Sequence, residues 1–176
     1  SHLLLLLFIP VISMRVFSEE YSSGTIETLT TKPIIIFKIV FAKFSAVLYL
    51  FLIALLPTIL FYVTSIYYLG ETVGNLDLGG IIGSYIGLML LSGVFASISI
   101  YSSALTSNQI LAFILSILLC TLFYFGFDLL SDISFLEKFD LVIKRFGISY
   151  HYNYMSKGLI RFSDFIYFIS VIFLFL

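Results

Sequence analysis

FSAVLYLFLIALLPTILFYVTSIYYLG, Phe44 to Gly70, runs for 27 residues without an Asp, Glu, Lys or Arg. About 20 apolar residues in a helix cross the ~30 Å hydrocarbon layer of a bilayer with every backbone group hydrogen-bonded internally. The stretch therefore reads as a tilted membrane span, 44–69, with Pro57 expected to kink it. The remainder of the chain has the same character. Of its 176 residues, 61% are hydrophobic and only 11% are charged, a composition no soluble domain of this size shows. From Leu78 to Phe127 there is again no ionisable carboxylate, ammonium or guanidinium, and SSALTSNQ, Ser102 to Gln109, is the one polar break. Two further spans, 81–105 and 110–129, joined by a tight turn, follow from that pattern. The apolar runs at the two ends, residues 1–13 and 164–176, read as interrupted helices. The fold class expected is all-α, a polytopic helical bundle in a membrane, and the chain is expected to be a piece lacking its N-terminal part.

Several function classes are excluded by composition and motif. A formal net charge of -1 gives no basic surface for nucleic acid. Cys120 is the single cysteine and lies in an apolar run; His2 and His151 stand far apart and read as structural, so no metal site is expected. No G-x-x-x-x-G-K-[ST] phosphate loop occurs, and the middle of every complete span lacks the ionisable group of an ion-coupled carrier. An active transporter built this way must take its energy from another subunit. The absence of a catalytic carboxylate or histidine constellation within the spans also speaks against an intramembrane enzyme.

Attention then falls on MRVFSEEYSSGTIETLTTKP, Met14 to Pro33, which holds three of the ten acidic residues between two apolar runs. Gly24 can close a short helix over Met14–Ser22. Thr25 can cap a second in which Ile26 and Leu29 share a face before Pro33 stops it. Glu19, Glu20 and Glu27 would then be exposed, with Lys38 and Lys43 snorkelling at the start of the next span. A solvated loop whose acids merely keep it out of lipid is the blander reading. Arg15, Lys32, Lys38 and Lys43 crowd this loop, which favours a cytoplasmic 14–43, although five basic residues in the long 130–163 segment blunt the positive-inside rule.

Met14, Arg15, Phe17, Glu19, Glu20, Gly24, Thr25, Glu27, Leu29, Thr31 and Pro33, followed by Lys43-Phe44, resemble the signature of ABC-2 type transporter permeases. The resemblance continues through GSYIGLMLLSG, SSALTSNQILAFILS and KGLIRFSDFIYFIS and lies nearest the gliding-motility-associated permease subunit. It implies about six helices in the whole permease, each long enough to span, with residues 1–13 ending the second helix and 164–176 starting the sixth. Residues 70–80 and 130–163 would be external. The resemblance further implies that 14–43 carries a coupling helix docking on a separate ABC ATPase, with Arg15, Glu19, Glu20, Gly24, Thr25 and Glu27 as the coupling residues. ATP and Mg would sit on that partner and no cofactor on this chain. The implied assembly pairs it with a second permease half, identical or not, in the inner membrane of a bacterium, to export a substrate. A membrane scaffold worked by the same ATPase on envelope proteins is the alternative. Two departures stand out: Ala42 replaces the usual Gly before K-F, and Arg161 and Ser163 stand where Asp and Arg are usual, so an ion pair there is lost.

Gly79, Gly83 and Gly87 form small-x-x-x-small steps at the start of 81–105 and are read as helix-packing residues, within the chain before between subunits. Tyr62, Tyr67, Tyr68, Tyr150, Tyr152 and Tyr154 suit interfacial belts in a chain without Trp.

The topology makes one prediction. Single cysteines placed at Ser22 and Asn75 should respond oppositely to an impermeant thiol reagent on intact cells, Asn75→Cys labelled and Ser22→Cys protected. The reverse pattern would invert the bundle and remove the coupling argument.

Overall fold

The computed structural model describes residues 2–27, 35–69, 78–131, 144–159 and 161–176. These form seven helices: α1 His2–Ser13, α2 Ser18–Ser22, α3 Ile36–Leu69, α4 Leu78–Ala104, α5 Gln109–Ser131, α6 Ile148–Met155 and α7 Phe162–Phe175. Among the described residues there is no strand. Parts of α3, α4 and α5 are each long and apolar enough to cross a membrane, over Ile36–Phe61, Gly79–Ala104 and Gln109–Ser131.

Helix α3 starts eight residues before the expected Phe44 and continues through Pro57. At 34 residues it is about 51 Å long, well beyond the hydrocarbon thickness. Its first turns can therefore lie outside the lipid, which is why Lys38 and Lys43 are tolerated in an otherwise apolar helix. The turn between α4 and α5 is fixed by Asn108, whose Oδ1 accepts the Ile110 N–H at 2.9 Å, an N-cap for α5.

Helix α4 is the centre. It packs against α1, α3, α5, α6 and α7, and its whole run from Leu91 to Ile100 is buried. In lipid the hydrophobic effect does not draw helices together, so packing and interhelical hydrogen bonds must. Small residues supply both. A Cβ on Gly83 would stand 2.8 Å from the Gly158 Cα, one on Gly87 3.1 Å from the Met155 Cβ, and one on Gly93 2.9 Å from the Ile172 Cδ1. Gly158 has φ +79, and a Cβ built on it would stand 2.8 Å from the Gly80 Cα. The packing stripe is thus Gly80, Gly83 and Gly87, and it receives α6 and the turn after it within the same chain. Gly79 is exposed, yet its carbonyl carbon would stand 3.4 Å from that same Gly158 Cβ, so the contact takes in both Gly79 and Gly80. Deeper in the bundle the Ser116 hydroxyl donates to Ser99 Oγ at 2.6 Å, tying α5 to α4.

His151 has a partner after all, contrary to the reading of an isolated histidine. Its Nδ1 lies 2.6 Å from Oδ1 of buried Asp164 and its Nε2 2.8 Å from the Arg145 carbonyl, with the Tyr167 ring stacked on it at 4.1 Å. A carbonyl can only accept, so Nε2 donates. Nδ1 then meets the carboxyl with a proton between them, which joins α6 to the first turn of α7, where the helix dipole favours Asp164. Arg161 lies with its guanidinium 4.1 Å from the Tyr154 ring centroid. Tyr152 is buried against Gly87 and leaves the interfacial set. The side chains of Tyr62, Tyr67 and Tyr68 lie outside the described residues, as do 70–77 and 132–143 of the expected external segments.

Gly83→Ala should destabilise the protein more than Gly93→Ala, because the first methyl meets backbone and the second only the tip of a movable Ile side chain. Gly83→Leu and Gly87→Leu should cost about 1 to 3 kcal/mol each by overpacking. Thermal melting in detergent checks the order. Unchanged melting of all four variants would show that α4 does not carry the bundle.

Candidate functional site

The segment from Met14 to Glu27 sits at the α1 end of the bundle, on the same side as the α4–α5 turn. It does not form one helix over Met14–Ser22. The chain leaves α1 through a turn at Met14–Phe17 and enters α2 only at Ser18. The reason is a single hydroxyl. Ser103, near the end of α4, accepts hydrogen bonds from the N–H groups of Phe17 and Ser18, both at 3.0 Å, and donates to the Met14 carbonyl, also at 3.0 Å. All three bonding positions of the hydroxyl are spent on the turn, so Ser103 holds the entry to α2 as a cap supplied by another helix. Ser18 adds a bond from its own hydroxyl to the Met14 carbonyl.

A second anchor comes from α3. Instead of snorkelling, Lys43 bends back over the turn. Its Nζ donates to the Val16 carbonyl at 2.5 Å, lies 3.9 Å from the Phe17 ring centroid and pairs with the Glu20 carboxylate. Both charged side chains are less than one-third exposed, so the pair is shielded from water on most sides. Glu20 is therefore not one of the outward acids expected from the sequence, since its carboxylate is engaged inside the element.

The remaining expected residues divide clearly. Arg15, Glu19, Thr25 and Glu27 are exposed, and Tyr21, which the sequence did not single out, is exposed beside them. Gly24 adopts φ +70, the left-handed value that closes α2 and that a side chain disfavours. After it, the Ser23 and Thr25 hydroxyls lie 2.9 Å apart, and Ile26 and Glu27 begin another helical turn. Leu29, Thr31 and Pro33, and with them the second short helix, lie outside the described residues. Ser103 and Lys43 are the residues that sequence reasoning missed as parts of this site. Lys43 had a signal, a cation that comes after an acidic run and before a span. Ser103 had none, being one serine among several in α4.

The result is an acidic surface element held at two points to two different helices. Glu19 and Glu27 are exposed carboxylates able to accept hydrogen bonds, and the element is tied to α4 through Ser103 and to α3 through Lys43. Among the described residues no group of three or more His, Cys, Asp or Glu gathers as a metal would need. A family model described as ABC-2 family transporter protein matches residues 2–172. No curated protein matches the chain. No solved structure matches it either.

Removing the Ser103 hydroxyl leaves the buried Ser18 N–H and the half-buried Phe17 N–H without an acceptor, at about 1 to 3 kcal/mol for a buried unsatisfied group. Ser103→Ala should therefore raise amide exchange at Phe17 and Ser18 by about tenfold or more, whereas Ser103→Thr should not. Equal protection in all three proteins would show that the turn stands without α4.

Proposed function

The chain belongs to the ABC-2 transporter family, the membrane component of an ABC transporter, and on that premise we propose that Met14 to Lys43 receives the power stroke of a separate ABC ATPase. The observation that carries this reading is the double attachment of the element, to α4 through Ser103 and to α3 through Lys43. A surface loop serving only to keep out of lipid needs no such attachment. Glu19, Glu27, Arg15 and Thr25 make the contact with the ATPase, Gly24 sets the turn between the helical pieces, and Glu20 with Lys43 carries the displacement inward. ATP and Mg stay on the partner, and the permease itself performs no chemistry.

The wider reading rests on the same premise. Two permease halves, of one kind or two, assemble with two ATPase copies in the inner membrane of a bacterium and export a substrate by alternating access. The gliding-type sequence resemblance favours a role in gliding motility. The alternative, a scaffold through which the ATPase acts on envelope proteins, uses the same coupling element and differs in lacking a translocated substrate. Substrate-stimulated ATP hydrolysis in the assembled complex separates the two.

Charge swaps separate the inner from the outer glutamates. Glu20→Lys brings two ammonium groups together and should uncouple transport from hydrolysis, and the double variant Glu20→Lys with Lys43→Glu should recover most of the lost coupling. Glu19→Lys with Glu27→Lys should instead weaken ATPase co-purification and show no rescue by Lys43→Glu. Gly24→Val should be uncoupled, while Gly24→Asn, which tolerates positive φ, should be milder. Membrane levels near wild type are expected throughout. Full activity and full ATPase binding in every variant would reduce the element to a solvated loop.

A further inference from the structure

Two adjoining hollows lie at the other end of α4. One, about 500 Å³, has a mixed lining in which Ser84, Ser156 and Lys157 supply the polar side and Ile81 and Leu88 the apolar side, with Tyr85 between. The other, about 480 Å³, runs between α3 and α4 and is lined by apolar side chains such as Leu52, Leu56, Ile86, Met89 and Phe165. Tyr85 borders both, so the polar hollow adjoins the apolar groove. Ser84 and Ser103 are 19 residues apart on α4, about 29 Å, which places the polar hollow a full hydrocarbon thickness from the coupling element.

We propose that this site binds an anionic phospholipid of that opposite leaflet, its headgroup at Lys157 and one acyl chain in the α3–α4 groove. Three observations select this occupant. Depth is the first: the polar hollow lies at the start of a span, where headgroups lie, and the apolar groove lies toward the middle. Length is the second. The lining residues on α3 run from Tyr49 to Ile59, ten residues and about 15 Å, which is half the ~30 Å hydrocarbon layer and so one leaflet. A single acyl chain is slender enough to lie along a groove of about 480 Å³. Charge is the third: Lys157 is exposed at the polar end and is paired with no carboxylate among the described residues, and Arg161 adds a second cation at this end of α7. The Ser84 hydroxyl spends its proton on the Gly80 and Ser156 carbonyls, which leaves the Lys157 ammonium as the charged donor for a phosphate. The site is independent of the coupling element and can be tested apart from it.

The complete permease in its assembled complex, stripped of lipid and exposed to nanodiscs of phosphatidylcholine with or without phosphatidylglycerol, provides the test. Native mass spectrometry then counts the lipids retained. Wild type should retain phosphatidylglycerol in preference to phosphatidylcholine. Lys157→Glu, at an exposed position that folding does not depend on, should weaken phosphatidylglycerol retention about tenfold, the loss of one charge-assisted hydrogen bond, and spare phosphatidylcholine. Met89→Trp, which fills the groove, should reduce retention of both. Retention unchanged in both variants overturns the assignment. So does a change of oligomeric state in Met89→Trp with lipid counts unchanged, which would give the groove to a protein contact.

Discussion

The close approach that small residues allow along α4 is the constraint on which the bundle rests. A bilayer is as apolar as a leucine side chain, so burying hydrophobic area between helices gains little there. Contact and hydrogen bonding at short range must do the rest. Backbone against backbone at Gly80, Gly83 and Gly158, a hydroxyl pair at Ser99 and Ser116, and the α7 side chain seated on Gly93 are the forms it takes here. Because α4 meets five other helices, its two ends are placed relative to one another by one rigid rod. The Met14–Glu27 element at one end and the α6 turn at the other are held by that rod.

The spans were legible because lipid imposes a crude rule on sequence. A charge-free window long enough to cross has few alternatives to a helix, and 81–105 and 110–129 lie within a few residues of α4 and α5. Helix ends were less legible. Lys38 and Lys43 looked like the boundary of α3, yet a helix that outruns the hydrocarbon can carry charges in its first turns. Pairings distant in sequence were not legible at all. Asp164 and His151 are 13 residues apart across a turn, and neither had a spacing that named the other. The glycine stripe was found without Gly80, since the step of four from Gly79 to Gly83 fits a helix face as well as the step of three from Gly80.

For the acidic segment from Met14 to Glu27, the sequence showed which residues were unusual but not which way they faced. Glu19 and Glu20 are neighbours of the same kind, and on a helix of five residues their directions diverge by about 100°. One meets solvent and the other meets Lys43, 23 residues on in the chain. A sequence without the fold gives no reason to prefer either. Ser103 makes the same point from the other side: its three bonds to the turn depend on where the end of α4 comes to rest.

Gly24 is constrained in an unusual way. Its φ is +70, yet nothing lies within 4 Å of the place where a Cβ would stand. Space is therefore available and only backbone conformation forbids it. The position discriminates by handedness rather than by volume. A residue of the opposite chirality would adopt this conformation as readily as ordinary residues adopt the right-handed helix, and would restrict the unfolded chain more than glycine does. Natural proteins lack that option and accept the one residue without handedness, so the joint at the C-terminal end of α2 stays softer than its geometry requires.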